Sequence, residues 1–517
     1  MRRVALIFTI GVSATSLALR AQDQPTPTFR AGTTLIEFTF VARDADGNPI
    51  TDLTKEDVVV TENGQPRQVE FFRFDGAPPQ PSSKSLPPGH YTNRFDTSSN
   101  SPRHISAILV DAINMLAVAK TMQFTQATIR TQILAYLDAL PPHTRVGLFR
   151  LGREKIDVLH DFTDDVASLR AQVAKMDLVL PELFDTPGHR PAEASPSRVS
   201  GSAESAASRD MAEAAFAKAT GAVNENAQTK RVDLTLPGLE ALGNHLARFP
   251  GRKNIVWVGN GMPLYLGGSR ASMTRDYTPR MRQTAERLAT QGISVYPVAS
   301  RLAGESIKES LTLFATTTGG RVTLTMNDPT EGLKATALDQ RAIYSVGFYA
   351  LAPRDNKWHP IAIQVRRPNI TVTHRQGYLA EAAAAQPLEW GEEQWRTAIA
   401  NPLSSSVVGL AGQIQPGADG RTFDFSMQIA LDDLFFRDVA GKGAAEIEIT
   451  TAEKIASGNF AFRVERASLN RVNAEPGAVA PYARRWTLRA ETINVRVIVR
   501  DRFTGRYGTL DIPVKNK

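Results

Sequence analysis

The chain has 517 residues, 42% of them hydrophobic and 22% charged, with a formal net charge of +7 and no cysteine. That length allows two or three buried cores, and the balance excludes a disordered or fibrous class. Without cysteine there are no disulfides, no thiolate metal ligands and no thiol nucleophile; the basic residues lie among comparable acids, with no basic run interleaved with aromatics, which argues against a nucleic-acid partner.

The chain opens Met1-Arg2-Arg3, continues as an apolar run from Val4 to Leu19 broken by Thr9, Gly11, Ser13, Thr15 and Ser16, and then reads Arg20-Ala21-Gln22-Asp23. This is the pattern of an export signal over residues 1–21, with an uncleaved anchor as the alternative. The segment holds three arginines and no acid, so its removal leaves +4. No later segment offers 18 consecutive apolar residues, so no transmembrane span is expected after cleavage. A periplasmic or extracellular location follows.

Residues 33–75 alternate apolar and polar side chains. Leu35, Ile36, Phe38, Phe40 and Val41 make one strand, and Val58-Val59-Val60 and Val69 with Phe71-Phe72 make two more. Asp46-Gly47-Asn48 and Glu62-Asn63-Gly64 separate them as tight turns. Three strands are marginal alone, so this segment is expected to pack on later β structure or on a sheet edge, burying Phe38, Phe40, Phe71 and Phe72. Residues 76–103, rich in Pro, Ser, Asn and Gly, read as a linker.

From Ile105 to Val110 the chain is continuously apolar, as in a strand of a parallel sheet covered on both faces. Helical spacing then runs from Val118 to Leu140, stopped by Pro141-Pro142. Strands Arg145–Leu151 and Ile156–Phe162 follow, and Thr163 caps a helix Asp164–Met176. Residues 182–231 form an insertion, a Pro/Ser/Gly/Arg-rich lead followed by an Ala-rich helical stretch. Alternation resumes with helix Pro237–Phe249, strand Ile255–Val258, helix Pro279–Thr290, strand Ser294–Val298, helix Glu305–Thr317 stopped by Gly319-Gly320, strand Val322–Leu324 and helix Pro329–Leu338. This predicts a doubly wound, mostly parallel α/β domain over 104–380, closed by Tyr344–Leu351, Ile361–Arg366 and Ile370–His374 as antiparallel edge strands. After an Ala-rich hinge at 381–386, residues 400–517 are β-rich and spaced for a sandwich of two antiparallel sheets.

In such a domain, ligands sit at the carboxyl ends of the strands where the strand order reverses. Two strand-end loops stand out, Asp111-Ala112-Ile113-Asn114-Met115 and Gly259-Asn260-Gly261. Ile108-Leu109-Val110-Asp111 before a long helix, with Gly251-Arg252-Lys253-Asn254-Ile255-Val256-Trp257 and Tyr296-Pro297-Val298, resembles the von Willebrand factor type A-related (VWFA-related) family of exported acidobacterial proteins. Arg43-Asp44-Ala45-Asp46-Gly47-Asn48-Pro49-Ile50-Thr51-Asp52-Leu53-Thr54, Tyr344-Ser345-Val346-Gly347-Phe348-Tyr349 and Arg500-Asp501-Arg502-Phe503-Thr504-Gly505-Arg506-Tyr507-Gly508 are similar to segments of that family in the same order. The resemblance implies a VWA fold and a metal-ion-dependent adhesion site: an Asp-x-Ser-x-Ser loop, a Thr and an Asp holding a divalent cation, with Mg²⁺ suited to the hard oxygen ligands. Here Asp111 matches the first Asp, Ile113 and Met115 replace both Ser, Asn260 stands for the later Asp, and Thr235 matches the Thr. The resemblance therefore implies a degenerate site of Asp111, Asn114, Thr235 and Asn260; the competing reading is that Asp111 and Asn114 cap the helix with no ion.

No Gly-x-Ser-x-Gly, His-Glu-x-x-His or Walker loop is present. His359 and His374 read as structural, Asp44 and Asp46 as a turn, and Asp432-Asp433 and Asp164-Asp165 as helix-start or surface acids. The expectation is an exported binding protein, not an enzyme, acting on a protein or cell-surface component through the loop face of the α/β domain. A secreted hydrolase with a site assembled from distant residues and a structural envelope subunit remain open.

Overall fold

The computed structural model describes residues 34–75, 87–94, 104–115, 126–141, 144–152, 156–176, 228–266, 275–300, 304–325, 330–350, 355–419, 422–439, 442–471 and 477–514. The expected export segment, most of the expected linker and residues 182–227 of the expected insertion lie outside them. Among the described residues no helix is long and apolar enough to cross a membrane.

Six strands form the central sheet, in the spatial order Ile156–Thr163, Arg145–Leu151, His104–Asp111, Arg252–Val258, Ile293–Ser300, Thr323–Thr325. All neighbours are parallel except the outer hairpin of the first two. Every residue of Arg252–Val258 is buried, as a strand with helices on both faces requires. Alternate side chains feed two cores: Leu109 and Trp257 pack with Leu239, Leu288 and Phe314, while Val110 and Val258 pack with Ile129, Ile133 and Leu333. The order in which strands are added reverses between His104–Asp111 and Arg252–Val258, which makes their carboxyl ends the switch point.

The helix expected at 237–249 starts earlier and runs over 228–246, straight through Pro237. An interior proline costs about 3 kcal/mol, yet Val232, Leu236, Leu239, Leu242 and Leu246 recur at helical spacing and are all buried, and that apolar stripe outweighs it. Helix Glu305–Thr318 ends at Gly319, whose φ of 75° suits glycine and lets its N–H close on the Ala315 and Thr316 carbonyls. A Cβ on Gly320 would lie 1.9 Å from the Val295 carbonyl oxygen, so the second glycine permits backbone contact with the sheet.

The strands expected to close this sheet do not join it. Ile343–Ala350 pairs with Thr34–Arg43 and Phe71–Phe74, and Thr371–His374 lies on the far side of Thr34–Arg43. Trp358–Val365 pairs with Val58–Glu62 and Gly377–Leu379. The two four-stranded sheets share a core of Phe38, Phe40, Val60, Tyr344, Val346, Phe348 and Ile363. Along Trp358–Val365 alternate side chains are buried and exposed, a pattern that belongs to a sheet with one wet face and not to one covered by helices on both. The α/β domain therefore stops before Ile343, not at 380. Phe38 and Phe40 are buried in this separate unit, whereas Phe71 and Phe72 are half-buried.

Part of the expected linker is also ordered structure. His90–Thr92 forms an edge strand on Leu410–Pro416, and the Asn93 side chain locks it there by donating to the Ser405 and Val408 carbonyls, both at 2.9 Å. Leu410–Pro416, Thr422–Ala430 and Val479–Thr487 complete one C-terminal sheet; Arg437–Val439, Lys442–Ile455, Phe460–Arg471, Thr492–Asp501 and Tyr507–Pro513 form a second. Leu410, Phe425, Ile447, Val497 and Val499 from both sheets share one core. A helix not expected from the sequence, Glu392–Ala400, lies beyond the Ala-rich stretch and seats Trp395 and Ile399 on the outer face of the second sheet against Ala452 and Ile498.

The N-terminal β unit docks at the pole of the α/β domain where the strands begin, and the C-terminal sheets reach from there along helix 228–246 to Leu151. Arg252 donates to Thr39 Oγ1, Tyr296 Oη and the Gly319 carbonyl; Arg375 reaches the Ala289 and Glu37 carbonyls. On the other side Ser406 bonds the end of helix 228–246 at Asn244 and His245, and Arg248 pairs with Asp433. The half-buried His245 ring donates Nδ1–H to the Ser404 carbonyl at 2.8 Å, and its partial desolvation holds its pKa below the ordinary histidine value. The unfolded chain then takes up a proton near pH 6.5 that the folded chain refuses, so stability falls as pH drops through that value. Urea denaturation at about pH 7.5 and about pH 5 should show this loss, and His245→Gln should flatten it.

Candidate functional site

The strand His104–Asp111 delivers Asp111 to the switch point fully buried. Its carboxylate accepts the Asn114 backbone N–H at 3.1 Å, Asn114 Nδ2 at 2.7 Å and Trp257 Nε1 at 2.9 Å. Asn114 Nδ2 also donates to Thr235 Oγ1 at 2.9 Å, tying helix 228–246 to the loop. Desolvation raises the Asp111 pKa above the ordinary carboxylate value, against the opposing pull of the Asn114 and Trp257 hydrogen bonds.

The neighbouring strand ends at Val258, the register partner of Val110. A Cβ on Gly259 would lie 2.7 Å from Asp111 Cβ, so glycine lets the two strand ends close together. Asn260 follows at the same rim, 1% exposed, and among the described residues neither its Oδ1 nor its Nδ2 has a hydrogen-bond partner. Of the four residues marked from sequence, Asp111, Asn114 and Thr235 form one bonded chain, and Asn260 sits beside it without joining.

Two participants escaped sequence reading. Trp257 is the register partner of Leu109, and its ring nitrogen could only be placed once that register was known. Arg231 lies one helical turn before Thr235 on the same face, is half-buried, and is coupled electrostatically to Asp111; burial lowers its pKa and Asp111 opposes that.

As arranged, this shell does not fit a divalent cation. Mg²⁺ asks for near-octahedral oxygen ligands, but here a single carboxylate is already occupied by three N–H donors, with a guanidinium nearby. Ile113 is buried in the apolar core and offers no ligand. Among the described residues no group of three His, Asp or Glu side chains could hold a metal. The arrangement is a closed polar node that braces the two strand ends and the helix, with one amide left unpaired. Asp111→Ala should lower stability by about 2 kcal/mol, since buried donors on Asn114 and Trp257 lose their acceptor; urea denaturation at neutral pH measures it.

The other residues singled out from sequence are structural. His374 Nε2 accepts the Ile363 N–H at 3.2 Å, and His359 lies between Asn63 and Asp355, stacked on Tyr378. Asp44 accepts the Asp46 and Asn48 N–H groups within its turn. Asp165 caps helix Val166–Lys175, and Asp433 is spent on Gly409 N–H and Arg248.

No family model matches the chain, and no curated protein matches it by sequence. Among solved structures it is similar to a von Willebrand factor type A protein from Catenulispora acidiphila, at 8% identity and a TM-score of 0.28, over 82% of this chain and 71% of that one. It is also similar to the vWF domain of the type V pili tip protein Mfa5 from Porphyromonas gingivalis (12%, TM-score 0.27, 46% and 94%). A third is proximal thread matrix protein 1 from the mussel byssus with a zinc-occupied MIDAS motif (11%, TM-score 0.26, 46% and 47%); the chain spans about half the length of that mussel protein. The strand order with its switch point defines a doubly wound α/β domain joined to β-rich units.

Proposed function

We propose that the chain is an exported binding protein whose VWA-like domain engages a protein or cell-surface partner through the rim at the carboxyl ends of its strands, and that it does so without a tightly held cation. One observation supports this reading: at the strand-end rim, where open α/β sheets take ligands, the buried Asn260 amide has no partner among the described residues and lies beside the Asp111 node, while the N-terminal β unit occupies the opposite pole. Leaving such an amide unpaired costs about 1–3 kcal/mol, a cost that a bound group or water would relieve. The C-terminal sheets, read as a β-sandwich, and the N-terminal unit serve as stalk or further partner surface. The motif order keeps the exported acidobacterial VWFA-related family as the source of this reading, and binding rather than catalysis as its consequence.

The test is retention of an envelope-fraction partner by the wild-type chain and its loss with Arg231→Glu or Asn260→Ala. Retention by both variants would refute the rim. Mg²⁺, Mn²⁺ and Ca²⁺ should leave the melting temperature unchanged; a shift that Asp111→Ala abolishes would restore a metal centre. For export, a mature protein beginning near Gln22 supports the signal, and one retaining Met1 overturns it.

A further inference from the structure

Where helix 228–246 faces the hairpin between Lys442–Ile455 and Phe460–Arg471, a cleft of ≈ 600 Å³ opens at the junction of the α/β domain and the C-terminal sheets. Its walls are largely apolar: Ile156 from the outer hairpin, Leu234 and Ala241 from the helix, Pro402 beyond helix Glu392–Ala400, and Phe460. Size and lining of this kind suit a small ligand with few polar groups.

Among the described residues one cation, Lys454, lines the cleft. Lys454 lies directly opposite Phe460 across the antiparallel ladder, so the two side chains share a face. No hydrogen bond or ion pair to Lys454 exists among the described residues, and the acids around it are engaged elsewhere. Asp233 pairs with Arg280 at 2.6 Å and Asp511 with Arg496 at 2.6 Å. Glu453 accepts the Arg489 N–H and the Thr492 hydroxyl. An ammonium partly withdrawn from water without a counterion is costly. Burial, reinforced by Arg496 and opposed by Asp511, brings its pKa down to about 8, so it is still mostly charged at neutral pH.

We propose that this cleft binds an apolar monocarboxylate, its hydrocarbon part against Leu234, Ala241 and Phe460 and its carboxylate on the Lys454 ammonium. Among the described residues the cleft offers one positive charge on an otherwise largely apolar wall, which balances the single charge of a carboxylate and leaves half of a phosphate dianion uncompensated. The cleft adjoins the rim at Leu151 and Leu234, but its carboxylate site uses none of Asp111, Asn114, Thr235 or Asn260 and does not rest on the proposed partner binding.

Calorimetric titration of the full chain with octanoate and with the neutral octanamide tests the proposal. Octanoate should bind, octanamide at least about tenfold more weakly; Lys454→Met should reduce octanoate to the octanamide level, and Lys454→Arg should retain most of the preference. Ala241→Phe, which fills the cleft without touching the charge, should weaken both probes. Equal binding of the two probes, unchanged octanoate affinity in Lys454→Met, or no octanoate binding would overturn it.

Discussion

Removing residues 33–75 should abolish the native state of the unit formed with residues 343–379, leaving a chain that is aggregation-prone and cleaved by protease within that stretch. Thr34–Arg43 is an inner strand, bonded to Ile343–Ala350 on one side and Thr371–His374 on the other. Its loss strips Tyr344, Val346 and Phe348 of Phe38 and Phe40, including the stacked pair Phe40 and Tyr344 at 5.1 Å. Burial of Phe38, Phe40, Val58 and Val60 contributes roughly 2 kcal/mol each, a total comparable with the stability of a whole domain. Two sheets would also gain open edges, which invite pairing with other chains. Circular dichroism and limited proteolysis check the outcome; an unchanged melting temperature and a protected 343–379 segment would contradict the assignment.

Glu448→Ala should be the most damaging single substitution in the C-terminal unit, lowering stability by about 3–5 kcal/mol in urea denaturation. Glu448 is buried on the outer face of the second sheet and accepts Arg500 Nη1 at 2.6 Å and Arg466 Nε at 3.3 Å, with Arg502 Nε at 3.7 Å. Arg466 and Arg502 also reach Glu389. Arg500 is fully buried and has Glu448 as the carboxylate it bonds, alongside the Leu388 carbonyl and the Trp390 ring. Its removal leaves a buried guanidinium without charge compensation. Glu448→Gln should cost less, because a hydrogen bond survives. The paired Glu448→Leu, Arg500→Leu protein should recover much of the loss, since two apolar groups replace a desolvated pair.

The central sheet was legible because Ile105–Val110, Ile255–Val258 and Ser294–Val298 are apolar but for Ser106 and Ser294 and alternate with helical periods, which leaves little choice but a covered parallel sheet. Strand pairing elsewhere was not. A period of two in Thr34–Arg43 and Trp358–Val365 tells which face is buried but not which strand lies alongside, so residues 343–379 were credited to the wrong sheet. Pro237 hid the first turns of helix 228–246, since local breaker chemistry cannot register a leucine stripe that packs far away in sequence. At the switch point, Asp111 and Asn260 stood out as strand-end polar residues. The hydrogen bonds that close the node depend on register and on a tryptophan whose ring nitrogen is a donor only in three dimensions.

The pairing of Val41 with Ile343 also orders events in time. The leading strands leave the ribosome, and on the proposed route the membrane, long before their partners exist, and the whole α/β domain is synthesised in between. Assembly therefore cannot proceed unit by unit from the amino terminus. The opening segment must remain unpaired, with Phe38 and Phe40 exposed, until the intervening sheet has brought the returning strands within reach, which makes this step the one most dependent on a holding chaperone.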